Sequence, residues 1–198
     1  MYGGTFDPIH FGHLAVARDI QIQFALNHIL FIPASQSPFR EPPIASGEHR
    51  LAMVRLAIAD TTEFQASAID IHRSGPSFMI DTVEKISDKH PEWDLFLIVG
   101  ADAFAELPAW RRSEDLLKAV AMIVVPRSTF STTVPSELSN QASQTFKHIH
   151  VHHMPPVDIS ASTIRDHCAR ALPITALVPM SVDRYINDHR LYGESEAT

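Results

Sequence analysis

The sequence predicts an α/β domain built on a parallel sheet, with helices on both faces. Three observations carry that prediction. Two short runs, 94–100 (apolar after its aspartate) and 119–125, are continuously apolar and end at Gly100 and before Pro126, the pattern of strands buried on both faces. Stretches with apolar residues at helical spacing lie between the strand-like runs, which favours alternation of strands and helices. The chain has 198 residues, 45% of them hydrophobic, which is enough for one domain with a real core. No repeat or linker divides it, so residues 1–192 are expected to form a single domain and 193–198 a frayed tail.

From the N-terminus, MYGGTFDPIHFGH is rich in turn formers, and Leu14, Ala17, Ile20 or Gln21, and Phe24 then recur at helical spacing, predicting a helix over 12–26. Residues 29–32 read as a buried strand stopped by Pro33. The stretch 33–47 contains prolines 33, 38, 42 and 43 and reads as a long loop of functional character. A helix over 48–60 follows, with Leu51, Val54 and Ile58 on one side. Residues 64–71 look β-like and end before Gly75 and Pro76, after which Ser77 is the expected cap of a helix carrying Met79, Val83 and Ile86. Beyond the two clear strands, 128–144 is rich in serine and threonine with helical potential after Pro135, and 148–152 alternates histidine with isoleucine and valine as a strand would. Ser160 is positioned to cap a helix with the stripe Ile164, Cys168 and Leu172, and a last helix over 180–190 carries Val182, Tyr185, Ile186 and His189.

One element is conspicuously short. Doubly wound sheets place ligand-binding turns just after a strand, yet only Met1 and Tyr2 precede the glycine pair here. The expectation is that the first strand is a stump at Tyr2 or starts upstream of Met1. A stump in a central position would expose its neighbours and lower stability unless another segment compensates.

Charge and cysteine content narrow the function classes. Sixteen lysines and arginines against 23 aspartates and glutamates give a net charge of −7, which argues against nucleic-acid binding through the overall field. The single cysteine, Cys168, precludes an intramolecular disulfide and thiolate-rich metal clusters, and it reads as a buried, unreactive thiol. With no leader-like segment and no apolar run long enough to span a bilayer, a cytoplasmic protein without membrane attachment is expected. Homo-oligomers are common enough that a monomer is not assumed.

Two constellations carry chemistry. In the first, Gly3, Gly4, Thr5, Asp7, His10, Gly12 and His13 lead into a helix start. Glycines let backbone approach a ligand, the histidines are three apart, and exposed helix N–H groups add positive potential, which together read as a phosphate-binding corner. A zinc site with Asp7 as a third ligand and plain turn and capping roles are the alternatives. In the second, ISASTIR at 159–165, Ser160, Ser162 and Thr163 crowd a helix start with Arg165 close behind, which suits a di- or triphosphate and equally suits a well-capped helix with a solvent-facing arginine. The chain has neither a GxGxxG turn nor a GxxxxGK[ST] loop. On the 148–152 strand, alternation puts His148, His150 and His152 on one face, read as a polar sheet face beside a helix in preference to a metal site.

GGTFDPIHFGH resembles the signature of the HxGH nucleotidyltransferase superfamily, and ISASTIR resembles its second signature, ISSTxIR. The ordered segments SPFREPP, HRLAM (49–53), SFMIDTV (77–83), GADAFAELPAW (100–110), VVPR (124–127) and YINDHRLY (185–192) are similar to the bacterial nicotinate-nucleotide adenylyltransferase family, a likeness that runs from Gly3 to Tyr192. The resemblance implies a Rossmann-like nucleotidyltransferase fold with its site at the C-terminal ends of the strands. It implies transfer of the adenylyl group of ATP to nicotinate mononucleotide, with magnesium (Mg2+) carried by the ATP phosphates and no metal held by protein side chains.

Residue by residue, His10 and His13 match the signature histidines and would contact the ATP phosphates, with His13 the first choice for stabilising the transition state. Gly3, Gly4, Thr5 and Gly12 would line the ATP site. Ser162 and Arg165 match fixed positions of the second signature, Thr163 its variable one, and as a group they would hold the leaving pyrophosphate. Asp102 would lie at the nucleotide ribose; its alternative role is an N-cap. Trp110 would stack on the pyridine ring, whose carboxylate would meet backbone N–H groups near Arg111 and near Phe78 or Met79. Two departures stand out. The family loop commonly reads PPHK where this chain has Ser37, Pro38, Phe39 and Arg40, so Arg40 keeps a charge of different geometry for the mononucleotide. Ala161 replaces a usual serine. Adenylyl transfer to phosphopantetheine or to nicotinamide mononucleotide, and a non-catalytic nucleotide sensor, are the alternative functions.

Overall fold

The computed structural model describes residues 1–36, 41–126 and 149–193. Its described elements run β1 (Tyr2–Gly4), α1 (Phe11–Gln23), β2 (Ile29–Pro33), α2 (Gly47–Ile58), β3 (Phe64–Ala66), α3 (Met79–Lys89), β4 (Phe96–Gly100), α4 (Ala101–Ala105), a 3₁₀ turn (Leu107–Ala109), α5 (Ser113–Ala119), β5 (Ala121–Val125), β6 (Ile149–Val151), α6 (Ala161–Ala169) and α7 (Met180–Asp188). The six strands form one sheet in the order β3-β2-β1-β4-β5-β6, every pair parallel. Among the described residues no helix is long and apolar enough to cross a membrane.

Burial on both faces explains the unbroken apolar runs. Along β4 and β5, Ile98, Ile123 and Val125 face a core shared with α1, α2, α6 and α7, through Ala17, Ile20, Met53, Val54, Ile164, Val182 and Ile186. The alternate residues Leu97, Val99, Met122 and Val124 face the second core, with Ile80, Val83 and Ile86 of α3 and Leu116 and Leu117 of α5. Each fully buried isoleucine or leucine contributes roughly 1.5–3 kcal/mol relative to exposure.

The first strand exists and is central. Tyr2, Gly3 and Gly4 register with Phe31, Ile32 and Pro33, and Tyr2 with Ile98 on the other side. The glycine pair is thus strand, where the sequence reading had it as the turn that follows. The neighbours are not laid bare: Phe31 and Ile98 are buried, and Met1 packs in the second core while its carbonyl accepts the Ile98 N–H.

Other boundaries shift for local reasons. Only 64–66 of the β-like stretch is strand; the chain then turns, burying Asp70. Ser77 does not cap α3. The N-cap is Phe78, without a side-chain bond, and the Ser77 hydroxyl accepts the Ser35 N–H at 3.0 Å, joining the start of α3 to the segment after β2. Ser160 does cap α6, accepting the Thr163 N–H at 3.1 Å. On that helix Ile164 is buried and Cys168 half-buried, while Leu172 lies exposed beyond the helix end at Ala169, so the stripe stops short of it. The expected helical stretch in 128–144, His148 and most of the tail lie outside the described residues.

Arg50 on α2 is the largest fully buried side chain. Its Nη1 donates to the carbonyls of Thr5 (2.7 Å) and Ala34 (2.6 Å), Nη2 to Ser35 (3.1 Å) and Nε to Ala45 (3.1 Å). One planar fork thereby joins the turn after β1, the end of β2 and the approach to α2. An ammonium has three donors and no fork. Arg50→Lys is expected to lower unfolding free energy in urea by about 2–4 kcal/mol; an unchanged midpoint would show that the carbonyls do not depend on the fork.

Candidate active site

The C-terminal ends of β1, β4 and β5 open into a cavity of about 870 Å³. At one side, His10 ends an extended segment as the N-cap of α1, and its backbone N–H donates to Nδ1 of His13 at 3.3 Å. An accepting Nδ1 leaves the His13 proton on Nε2, so this imidazole presents a donor at its outer nitrogen. The two rings stack with centroids 3.7 Å apart. Gly12 is required here because a Cβ would lie 2.9 Å from His10 Nδ1. The same Cβ position is 3.6 Å from the Ile159 carbonyl, so the two signature segments, 147 residues apart between Gly12 and Ile159, meet at this point.

Ser160 Oγ lies 2.9 Å from Ser162 Oγ and 2.8 Å from Thr163 Oγ1. Ser162 and Arg165 line the cavity; Thr163 does not, and its hydroxyl belongs to the cap. Arg165 Nη1 donates to the Asp7 carbonyl at 2.8 Å, which fixes the guanidinium between the two segments.

Asp7, which sequence reasoning considered only as part of the turn and as a possible zinc ligand, has a structural role. Its buried carboxylate accepts N–H groups of Ile44 (2.8 Å, Oδ2) and Ala45 (3.1 Å, Oδ1) and the hydroxyl of Tyr192 (2.7 Å, Oδ1). These partners leave zinc ligation no support. Phe6 and Tyr192 hold left-handed backbone, φ 49° and 63°, each a cost of about 1–2 kcal/mol for a non-glycine residue that the surrounding contacts must offset. Arg50 and Tyr192, also unassigned from sequence, act with it. Asp7 opposes the loss of charge that burial favours at Arg50.

Phe78, Met79, Trp110, Arg111 and Asp102 also line the cavity. Met79 opens α3, whose first N–H groups have no side-chain cap. Asp102 sits in the first turn of α4, whose N-cap is Gly100, so Asp102 is not the cap. Gly3, Gly4 and Thr5 line the cavity as well, while Arg40 lies outside the described residues. The 154–159 segment forms a wall that sequence reading had not placed. Away from the cavity, His150 and His152 meet Phe24, the C-cap of α1, edge-on and His152 pairs with Asp19, a structural use of that strand face. Burial pushes the Cys168 thiol above its ordinary pKa, consistent with an unreactive role.

Burial and the adjoining Asp7 push the Tyr192 phenol well above its ordinary pKa of 10.0. The folded protein therefore keeps a proton that the unfolded chain gives up, and stability falls as pH rises from about 10. Tyr192→Phe should cost about 1–2 kcal/mol at neutral pH and flatten that alkaline loss, which urea titrations at pH 7 and above 10 measure. An equally steep alkaline loss in the variant would mean the phenol is not the group responsible.

The cytidylyltransferase-like family description matches residues 1–167. Across 191 residues the chain is 39% identical to a probable nicotinate-nucleotide adenylyltransferase of Roseiflexus sp., covering 96% of this chain and 95% of that protein. It is 36% identical over 190 residues to a protein of the same description from Herpetosiphon aurantiacus, covering 96% of each. The fold is similar to that of Plasmodium falciparum nicotinic acid mononucleotide adenylyltransferase solved with NaAD, with a TM-score of 0.77 at 20% identity over 96% of this chain and 95% of that one. The chain belongs to the cytidylyltransferase-like family and, within it, to the nicotinate-nucleotide adenylyltransferases.

Proposed function

We propose that this protein transfers the adenylyl group of ATP to nicotinate mononucleotide, releasing pyrophosphate and forming deamido-NAD. The observation that carries this reading is the meeting of both phosphate-type segments at Gly12 and Ile159, in one cavity that Trp110 also lines. The reading treats residues 1–192 as one functional domain.

In the reaction, an oxygen of the mononucleotide 5′-phosphate attacks the α-phosphorus of ATP. The bond from that phosphorus to the bridging oxygen of the β-phosphate breaks, and pyrophosphate leaves with the electron pair. The nucleophile is already ionised near neutral pH, so the protein's contribution is alignment and charge stabilisation. The Nε2–H of His13 donates to the transferring group, with the stacked His10 beside it. Ser162 and Arg165 receive the leaving phosphates, and the carbonyl of Asp7 sets the guanidinium's direction. Gly3, Gly4, Thr5 and Gly12 let backbone line the junction, Asp102 faces the ribose, and Arg40 serves the mononucleotide. The pyridine ring stacks on Trp110, and its carboxylate meets N–H groups at the uncapped start of α3 and near Arg111.

Magnesium belongs with the polyphosphate in this reading, where it supplies neutralising charge. The donor set at the phosphate end is imidazole, hydroxyl, guanidinium and backbone N–H, and the nearby Asp7 carboxylate is already engaged by Ile44, Ala45 and Tyr192.

Pyrophosphate release from ATP and magnesium, run in parallel with nicotinate mononucleotide, nicotinamide mononucleotide and phosphopantetheine, tests the proposal. Release should be fast with the first; preferential turnover of phosphopantetheine would overturn it. His13→Ala should lower kcat by about 10²–10³-fold in folded protein, the loss expected for one transition-state donor.

A further inference from the structure

Beside Trp110 the structure holds charges that neither signature contains. The Arg111 guanidinium lies over the Phe78 ring, 4.8 Å from its centroid, and its Nη1 is 3.6 Å from Asp81 Oδ2. The same carboxylate oxygen is 3.8 Å from Nη1 of Arg73. Both separations exceed hydrogen-bond length. The Asp81 oxygen thus attracts two guanidinium groups at long range and is drawn tight to neither.

The surroundings of this pair are firm. Thr82 and Asp70 are buried, and the Thr82 hydroxyl donates to Asp70 Oδ1 at 2.6 Å. Arg73 Nη2 donates to Asp70 at 2.7 Å and to the Thr82 hydroxyl at 3.1 Å. Thr82 follows Asp81 directly, so this triad anchors the first turn of α3, which carries Asp81. Arg111 differs: its side chain is half exposed, carried on the segment after Trp110, and lines the cavity. A carboxylate on an anchored turn therefore lies near a half-exposed cation that lines the cavity.

We propose that the Arg111 side chain is a specificity-determining group, a cation held near Asp81 when the site is empty and drawn to the carboxylate of an acidic pyridine ring when one binds. This rests on reading the cavity as a mononucleotide site and deepens it. A ring carboxylate stacked on Trp110 offers the guanidinium a bidentate, charge-assisted pairing. A ring amide offers only a neutral acceptor and puts its own N–H donors toward a cation that accepts nothing. Asp81 opposes the movement by Coulomb attraction alone, since no hydrogen bond must break. The Phe78 face holds the guanidinium by a cation–π contact that involves no hydrogen bond.

The test is the acid-to-amide ratio of kcat/KM for the two mononucleotides, with binding of each to ATP-free protein by calorimetry. Arg111→Gln is expected to reduce the ratio about tenfold, mostly through the KM and Kd of the acid. Arg111→Lys, which keeps the charge, should recover most of it, and Asp81→Asn should raise it by releasing the cation. The inference is overturned if Arg111→Gln leaves the ratio at the wild-type value, or if Asp81→Asn lowers it as far as Arg111→Gln does, which would mark the pair as a structural unit. Wild-type protein that binds neither mononucleotide would instead defeat the underlying functional reading, so the two failures are told apart by the wild-type calorimetry alone.

Discussion

The buried carboxylate of Asp7 joins segments that are distant in sequence and must be adjacent for the site to exist. Its two oxygens fix the backbone at Ile44 and Ala45 and the hydroxyl of Tyr192, while its carbonyl fixes Arg165. A carboxylate taken from water is costly unless its lone pairs are filled and its charge opposed. Here the filling comes from the approach to α2 and from the C-terminal region, and the opposing charge from Arg50, which holds the carbonyls of Thr5, Ala34, Ser35 and Ala45. The requirement that Asp7 be satisfied is therefore a requirement that these chain segments converge.

The sheet gives that knot its place. β1 contributes only three residues, yet it lies between β2 and β4 and ends where the knot begins. With glycines at 3 and 4, the strand leaves little side chain between the sheet edge and the cavity. Apolar burial on both faces holds the neighbouring strands in register, so a short β1 suffices: its pairing is enforced by Phe31 and Ile98, which are buried for their own reasons.

What was legible in the sequence was local. The apolar runs that became β4 and β5, the helical spacing in α1 and α2, and the Ser160 cap all depend on residues within a few positions of each other, and each appears close to its expected place. The misplacements involve long-range partners. Ser77 looked like a cap because serine before a helical stripe usually is one, but its partner is Ser35, 42 residues away. Residues 64–71 alternate well enough for a strand, but burial of Asp70 against Thr82 turns the chain after Ala66. The signature residues His10, His13, Ser162 and Arg165 stood out by residue type and spacing, and the resemblance gave them roles, but their lining one cavity depends on Asp7, Arg50 and Tyr192. No local pattern distinguishes those three from a turn aspartate, a helix arginine and a tail tyrosine.

The two ends of the cavity are built to different tolerances, and the chemistry explains why. Around the phosphate end the contacts of Asp7 and Arg50 fall between 2.6 and 3.1 Å, and the cations are fixed by bonds to carbonyls. Charge that develops on a transferring phosphoryl group is stabilised best by donors that need no rearrangement at the moment of reaction. At the ring end, Arg111 and Asp81 stand 3.6 Å apart without a hydrogen bond, on a frame that is itself tight. In the proposed reading Arg111 distinguishes ligands, and discrimination needs a group whose position responds to what has bound. In the proposed reading, rigid donors serve the reacting centre and the less constrained Arg111 serves recognition of the ring, so that one cavity lining carries both functions.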